Sequence, residues 1–297
     1  MCGDSGCFIG DGRTGWQADC QGNTVIRRPG SHSEVVRTLA EQSDANFNIS
    51  DTMSGRAPLF WAARNGHEEV VKLLLERDDV NPDAADELGA TPLLEAARNG
   101  EEGVVRMMLK RSDVDPNRAD QSGQTPLSLA ALRGYEGVAR TLLERDDVNP
   151  EGVKRDLTPL ELAAWWGHEG IVRMLLERDD VNSNTANEGG RTPLSLAAQN
   201  GHEGVVKLLL ERDDVNPDAA DVYGQTPLSL AACWGHKGIV RMLLERNDVN
   251  SNTADQDGRT PLSLAAENGF KEIVGMLLER NDINVDITDH NDQTAAE

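Results

Sequence analysis

The chain contains 297 residues and has a formal net charge of −22, and only 4% of its residues are aromatic. So few aromatic residues favour a fold with a narrow hydrophobic core over one thick globular core. The negative charge disfavours nucleic acid and anionic membranes as partners and favours a basic protein partner. Because the sequence has no apolar run of about 18 residues and no secretion signal, it predicts an intracellular protein, either cytoplasmic or nuclear.

Residues 1–32 form a glycine-rich leader, which we expect to be disordered. It contains Cys2, Cys7 and Cys20, and His32 completes a set of four residues of the types that bind zinc. Their spacing matches no standard zinc knuckle, and these cysteines do not form the pattern of a disulfide framework. We therefore expect reduced thiols and no metal in this segment.

Residues 33–56 match the last part of a unit that repeats through the rest of the chain. This segment has one apolar helical stretch where the full unit has two. The sequence therefore predicts a degenerate half-repeat, which would cap the N-terminal end of the array.

A threonine-proline-leucine tripeptide recurs at intervals of 33 or 34 residues, and Ala57 takes the place of threonine in the first copy; the others begin at Thr91, Thr125, Thr158, Thr192, Thr226 and Thr260. Each unit continues with an alanine pair, a glycine and a leucine pair, and ends in a polar stretch. A block of 17 residues is even identical in two units, at residues 70–86 and 205–221. Repetition at this period predicts a solenoid in which each unit packs only on its neighbours.

The unit that begins at Thr192 shows why each element is expected. The threonine hydroxyl can cap a helix, Pro193 suits the first helical position, and Gly201 can adopt the left-handed conformation that ends the helix. A second helix should begin at Glu203, whose carboxylate suits the positive helix start. Residues 216–226 are rich in turn-forming residues, so they predict a hairpin-like loop, called the finger below, and not a third helix.

Most second helices have glycine in their first turn, whereas the two terminal repeats have Glu69 and Glu272 there. Glutamate propagates a helix better than glycine by about 0.5–1 kcal/mol. The sequence therefore predicts that Gly204→Glu raises the melting temperature.

Helix–turn–helix units of about 33 residues with these signatures resemble ankyrin repeats. The resemblance implies an all-α solenoid of stacked helix–turn–helix units with hairpin-like finger loops. Seven repeats would occupy residues 57–293, starting at residues 57, 91, 125, 158, 192, 226 and 260, and residues 294–297 would be the stub of an eighth. The sequence departs from the family pattern where serine, as at Ser195, replaces the usual histidine, and where Asp156 replaces a finger glycine.

Two recurring features invite a catalytic or metal-binding interpretation. Aspartate pairs such as Asp213-Asp214 end several second helices, and a histidine such as His202 stands at the same place in four of the units. The histidines lie too far apart to share a metal, and the resemblance implies that they stabilise turns. We interpret the aspartates as solvent-exposed residues at the end of the second helix, where one carboxylate accepts hydrogen bonds from loop amides. We therefore expect no enzyme activity, no metal and no cofactor.

Positions at which the repeats disagree are the expected carriers of recognition, since stacking already explains the positions at which they agree. The resemblance implies that they line a concave groove and the finger tips. The predicted partner-binding residues are Leu132, Arg133, Leu157, Trp165, Trp166, Gln199, Asn200, Tyr223, Cys233 and Trp234.

The sequence thus favours a monomeric, non-catalytic scaffold that binds a protein partner through this groove. One alternative is the recognition or sensor arm of a larger signalling NTPase or enzyme whose catalytic domain is absent from this chain. A second alternative is a structural spacer, which predicts interchangeable polar residues at the variable positions. The tryptophans found there argue against the spacer.

Overall fold

A computed structural model describes residues 16–18, 24–26, 46–152 and 157–287. Most of the predicted leader, the first part of the predicted half-repeat, Asp156 and the predicted stub at residues 294–297 lie outside the described residues.

The described residues contain fourteen helices, which form seven helix–turn–helix pairs. The first helices of the pairs are α1 (Pro58–Arg64), α3 (Pro92–Asn99), α5 (Pro126–Arg133), α7 (Pro159–Trp166), α9 (Pro193–Asn200), α11 (Pro227–Trp234) and α13 (Pro261–Glu267). The second helices are α2 (Glu68–Leu75), α4 (Glu102–Met108), α6 (Glu136–Leu143), α8 (Glu169–Leu176), α10 (Glu203–Leu210), α12 (Lys237–Leu244) and α14 (Lys271–Leu278). The predicted all-α architecture of the repeats is confirmed.

The chain divides into two compact units, Met1–Asp156 and Leu157–Glu297. The first contains α1 to α6 and the second contains α7 to α14. Within each unit, each first helix packs on the first helix of the next repeat, and the second helices form a parallel row in the same way. Each repeat therefore contacts its neighbours along two rows of helices, as a solenoid requires.

Two short strands, β1 (Trp16–Ala18) and β2 (Thr24–Ile26), pair antiparallel within the leader. Their register places Trp16 opposite Ile26 and Ala18 opposite Thr24. β2 is made of the β-branched residues that favour extended structure, and the disordered leader stays a prediction for the residues that are not described. The pair lies outside the helical repeats.

The predicted start and stop signals of the first helices are confirmed. In six repeats the threonine hydroxyl accepts a hydrogen bond of 3.2–3.3 Å from the backbone amide three residues later. Ala57 occupies this position in the first repeat and makes no side-chain cap. At the other end, Gly201 has a φ of 80°, which lets the chain turn towards α10.

The core of each repeat is thin and built from small residues. In the repeat that begins at Thr192, Leu194 and the pair Ala197-Ala198 on α9 are fully buried, as are Val206 and Leu209 on α10. Alanine pairs allow the backbones of neighbouring first helices to approach closely, and valine and leucine fill the space between the two rows.

An arginine at the end of the second helix joins successive repeats. The guanidinium of Arg212 donates to both carboxylate oxygens of Asp214, from Nε at 2.8 Å and from Nη2 at 3.0 Å. Its Nη1 donates to the carbonyl oxygen of Leu176, at the end of α8 in the preceding repeat, at 2.8 Å. The same cross-repeat bond, called the arginine joint below, is made by Arg111, Arg145, Arg246 and Arg280.

The aspartate pairs therefore serve the arginine joint. The second aspartate of each pair holds its arginine in a planar fork, and it also accepts from its own backbone amide, as expected for one carboxylate of the pair. The hydrogen bonds from Arg212 lower the pKa of Asp214 to about 2, and a bond from the hydroxyl of Ser183 contributes.

In four of the second helices, the glycine in the first turn makes room for a glutamate of the preceding repeat. A Cβ atom on Gly204 would overlap Oε1 of Glu169, and Gly238 stands in the same relation to Glu203. In the last pair of repeats, Lys237 and Glu272 occupy the two positions and form an ion pair. Gly204→Glu as a single substitution would therefore place the new carboxylate against that of Glu169.

The structure changes the prediction for Gly204 accordingly. Gly204→Ala should stabilise by about 0.5–1 kcal/mol because the carboxylate of Glu169 can move aside at little cost. Gly204→Glu should raise the free energy of unfolding less than Gly204→Ala does. The double variant Glu169→Lys/Gly204→Glu should raise it the most, because it reproduces the ion pair of Lys237 and Glu272. Urea unfolding of the three variants measures this order. A Gly204→Glu variant that is more stable than the double variant would contradict it.

The pair of Arg212 and Asp214 should make stability depend on pH in the acid range. Because the folded-state pKa of Asp214 is depressed, its contribution is present above the unfolded pKa of about 3.9 and is lost as pH falls towards the folded value. Asp214→Asn should therefore cost up to about 1 kcal/mol at pH 7 and almost nothing near pH 2, since the carboxylate is half-exposed. Thermal unfolding at several pH values tests this.

The matched control is Asp213→Asn, because Asp213 is exposed and makes no ion pair with the described residues. An equal, pH-independent loss in the two variants would show that the fork to Arg212 carries no special stability.

Candidate partner-binding surface

Three exposed aromatic residues lie on successive repeats of the second compact unit. Trp166 is the last residue of α7 and is 55% exposed, and Trp234 is the last residue of α11 and is 58% exposed. Tyr223, at the finger that precedes α11, is 60% exposed, and its neighbour Val222 is 50% exposed. Exposure above half is unusual for such large apolar groups, so we call these four residues the aromatic surface.

The glycine that follows a first helix packs closely on the next repeat, and the last side chain of that helix points away from the core. Gly167 follows Trp166 with a φ of 77°, and a Cβ atom there would lie 2.5 Å from Nδ1 of His202 in the next repeat. Nε2 of His202 is hydrogen-bonded to the carbonyl oxygen of Trp165 at 2.9 Å. The recurring histidine therefore links two repeats, and no space remains for the last helical side chain beneath it.

Most repeats use asparagine at the position of Trp166 and Trp234. There the side-chain Nδ2 donates to the carbonyl oxygen four residues earlier and caps the end of its own helix, in Asn65, Asn99, Asn200 and Asn268. Arginine and tryptophan cannot make this bond in the same way, so Arg133, Trp166 and Trp234 lack a local structural explanation. Asn200, a predicted partner-binding residue, already uses its amide group in α9.

The finger that carries Val222 and Tyr223 is held by a polar network. Oδ1 of Asp221 accepts from the backbone amides of Tyr223 and Gln225, both at 2.9 Å. Its Oδ2 pairs with Arg191 at 3.1 Å, and Nη1 of Arg191 donates to Oε1 of Gln199 at 2.7 Å. Because the side chain of Asp221 is fully buried, the finger position is fixed relative to α9. The predicted hairpin-like finger is confirmed.

Gln199 and Trp165 therefore take part in bonds that hold the finger and the neighbouring repeats together. Both are half-buried, and the carbonyl oxygens of both receive a histidine ring of the next repeat. The exposed members of the predicted set in this unit are Trp166, Tyr223, Trp234 and Asn200, and Asn200 already uses its side-chain amide within α9.

Cys233 is half-buried next to Trp234, and its sulfur lies 4.0 Å from Nδ2 of Asn268. Burial raises the pKa of its thiol. A raised thiol pKa lowers the fraction of nucleophilic thiolate, so this environment does not activate Cys233.

Three predicted residues lie apart from this surface. Leu132 belongs to the first compact unit and packs against a cluster of Phe60, Ala90, Leu94 and Leu129, which gives it a core role. Arg133, in the same unit, is exposed at the end of α5. Leu157 is half-buried at the start of the second unit, directly after residues that are not described. Among the predicted residues of the second unit, Trp166, Tyr223 and Trp234 are each more than half exposed.

Val222 was missing from the predicted set although it forms part of the surface. Its signal was present in the sequence, because the equivalent finger position holds the polar residues Glu87, Gln121 and Gln256 in other repeats. In the first unit, Met53 and Leu88 are also exposed finger residues, at 84% and 61%.

The described residues contain no group of histidine, cysteine, aspartate and glutamate side chains arranged to hold a metal ion. Among the helices described, none has the length and apolar character needed to cross a membrane.

Comparisons with known proteins agree with this architecture. A family model described as "Ankyrin repeats (3 copies)" matches residues 24–120, 109–187 and 179–253, and a second described as "Ankyrin repeat" matches residues 257–290. Among solved structures, the crystal structure of the human ASB11 ankyrin repeat domain is similar, with a TM-score of 0.67 and 25% identity. The match covers 75% of this chain and 98% of that one. No curated protein sequence matches the chain.

Restoring asparagine at the exposed helix ends should stabilise the fold. In Trp166→Asn and Trp234→Asn, the new amide can donate to the carbonyl four residues earlier, as in Asn200. We expect each change to leave stability unchanged or raise it by up to about 1 kcal/mol, a typical net value for one hydrogen bond. Urea unfolding measures this. A loss above about 2 kcal/mol would show that the tryptophans are core residues.

Proposed function

The chain belongs to the ankyrin-repeat family, and we propose that it is a non-catalytic scaffold that binds a protein partner through the aromatic surface of its second compact unit. The observation that carries this proposal is the exposure of Trp166, Tyr223 and Trp234 on a rigid framework. In the described part of the chain, none of the three makes an aromatic or cation–π contact. They are therefore free to contact another molecule.

The chemistry of these residues suits binding to a protein. Tryptophan and tyrosine bury large areas at a small cost in conformational entropy, and they dominate the binding energy of many protein interfaces. The polar network around Asp221 holds the finger in place before binding, so little order has to be gained when the partner docks.

The charge around the aromatic surface favours a basic partner. Glu188 on one finger and Glu267 at the end of α13 are exposed, and neither forms an ion pair with a described residue. The nearby arginines Arg191 and Arg259 are both engaged by aspartates. Together with the net charge of −22, these free carboxylates should attract a cationic surface and make association faster at low salt.

The second aspartates of the pairs hold arginines, His202 and His236 are bonded to carbonyl oxygens of the preceding repeat, and burial raises the pKa of the Cys233 thiol. We therefore propose no reaction, and place the chain as a monomeric intracellular interaction module.

The test is a comparison of partner binding between variants. Partners captured by the intact chain are identified and purified, and their affinities are measured for the Trp166→Ala/Trp234→Ala double variant. We expect the dissociation constant to rise at least about 30-fold, which corresponds to roughly 2 kcal/mol for two exposed anchors. The far-ultraviolet circular dichroism spectrum should stay unchanged.

A matched control replaces two equally exposed apolar finger residues of the first unit, Met53→Ala and Leu88→Ala. This variant should bind within about threefold of the intact chain, which is the size expected for residues outside an interface. Wild-type affinity in the tryptophan variant, or a greater loss in the control, would refute the proposed surface.

A further inference from the structure

An asparagine in the loop after each of several second helices makes two bonds to the loop of the next repeat. Oδ1 of Asn117 accepts from the backbone amide of Asn149 at 2.7 Å, and its Nδ2 donates to the carbonyl oxygen of Asp147 at 2.6 Å. The same two bonds are made by Asn48, Asn184 and Asn252. Each of these asparagines therefore closes a two-bond joint between adjacent loops.

Two repeats have aspartate at this position, Asp83 and Asp218. The accepting half of the joint is kept, because Oδ2 of Asp83 accepts from the amide of Asp115 at 2.8 Å and Oδ2 of Asp218 accepts from Asn250 at 2.9 Å. The donating half is missing. Oδ1 of each aspartate is buried and has no hydrogen-bond partner among the described residues.

The complete asparagine joints indicate which group Oδ1 of each aspartate should face. Asparagine donates to the carbonyl 30 residues later, as from Asn117 to Asp147. The equivalent carbonyls are those of Asp113 for Asp83 and of Asp248 for Asp218. An ionised carboxylate can only accept, so it presents a lone pair to a carbonyl oxygen that also needs a donor.

We propose that Asp83 and Asp218 are protonation sites that close these two joints when the pH falls. A proton taken up from solvent on Oδ1 makes each side chain a donor to the carbonyl of Asp113 or Asp248, and thereby reproduces the asparagine joint. No other bond is made or broken in this step.

The charged groups around the two sites favour proton uptake. Burial raises the pKa of both carboxyl groups, and the negative charges of Asp115 and Asp113 add to this at Asp83. The guanidinium of Arg118, which donates to the carbonyl oxygen of Asp83 at 3.2 Å, opposes it. Asp248 raises the pKa of Asp218.

A bound cation is the competing explanation for a buried carboxylate oxygen. A site for a divalent ion normally needs several oxygen ligands, and the described residues offer no metal-binding group of three acidic or related side chains. A proton needs only one donor and one acceptor, and the asparagine joints indicate a carbonyl oxygen as the acceptor at the equivalent position.

Both sites lie in the 17-residue block that occurs twice in the chain. In each copy the aspartate stands three residues before the buried aspartate that holds a finger, Asp86 or Asp221. These are the fingers that present Leu88 and the pair Val222–Tyr223. Closing the joints on acidification would thus order the loops that lead to exposed apolar fingers.

The proposal is tested with Asp83→Asn/Asp218→Asn, which makes both joints permanent. A raised folded-state pKa means that the ionised carboxylate destabilises the fold at high pH and that this penalty disappears as pH falls towards the unfolded pKa. At pH 7.5 the double variant should therefore melt about 2–4 °C above the intact chain. The difference should shrink steadily at lower pH.

Two further variants provide the controls. Asp78→Asn/Asp213→Asn removes two exposed carboxylates that make no ion pair with the described residues, and should show no such pH-dependent gain. Asn184→Asp/Asn252→Asp converts two complete joints into the acidic form, and should lower the melting temperature at pH 7.5 and recover at lower pH.

Carbon-13 NMR of the aspartate carboxyl carbons gives the direct readout. Because the isoelectric point is about 4.6, the titration is followed from pH 8 to 5.5 at low protein concentration. We expect Asp83 and Asp218, whose pKa values are raised by burial, to begin to titrate at higher pH than Asp214, whose pKa is lowered by Arg212. Titration of Asp83 and Asp218 at no higher pH than Asp214, no gain in Asp83→Asn/Asp218→Asn at pH 7.5, or stabilisation of the intact chain by calcium at pH 7.5 would each overturn the proposal.

Discussion

Within each compact unit, the arginine joint holds each repeat to the one before it, and the stack of repeats depends on such bonds. One guanidinium, such as that of Arg212, fills a planar fork of carboxylate oxygens and also satisfies a carbonyl at the end of the preceding second helix. Such carbonyls have no partner within their own helix. A repeat of two short helices cannot bury enough apolar surface alone, so the bonds between repeats make the stack stable.

The contacts between repeats use residues that recur in most repeats. Positions outside these contacts can therefore vary without loss of stacking. In the second unit, His202 and His236 join the turns of neighbouring repeats, and Asp221 holds a finger. Buried alanine pairs set the spacing of the first helices. Trp166 and Trp234 stand where asparagine would cap the helix, and they give up that bond. A protein that exchanges local stability for exposed aromatic area is expected to use that area for recognition.

Local features of the fold were predictable from the sequence because they depend on neighbouring residues. Threonine before proline, and glycine after eight helical residues, specify the helix ends of a repeat such as α9 by their own chemistry. The arginine joint was not predictable in this way, because Arg212 and Leu176 are 36 residues apart and any exposed arginine has the same sequence signature. The contact of Glu169 with Gly204 was not predicted either, because these residues are also far apart in the sequence.

The candidate site was predicted in part. Variation between repeats correctly pointed to exposed positions at Trp166, Tyr223 and Trp234. It also selected Leu132, which packs into the core of the first unit, and Gln199, which supports a finger through Arg191. Variation marks positions free of the shared packing pattern, but it does not distinguish an exposed side chain from one with an individual structural contact.

The most direct measurement is the solvent exposure of each tryptophan by fluorine NMR, with 5-fluorotryptophan in the chain, before and after a partner is added. In the free chain, Trp166 and Trp234 should show the solvent isotope shifts of exposed rings, and both shifts should fall when the partner binds. Trp61, which is hydrogen-bonded to Asp51 and covered by Arg56, should stay unchanged. Partner binding that leaves the shifts of Trp166 and Trp234 as they were would contradict the assignment of the aromatic surface.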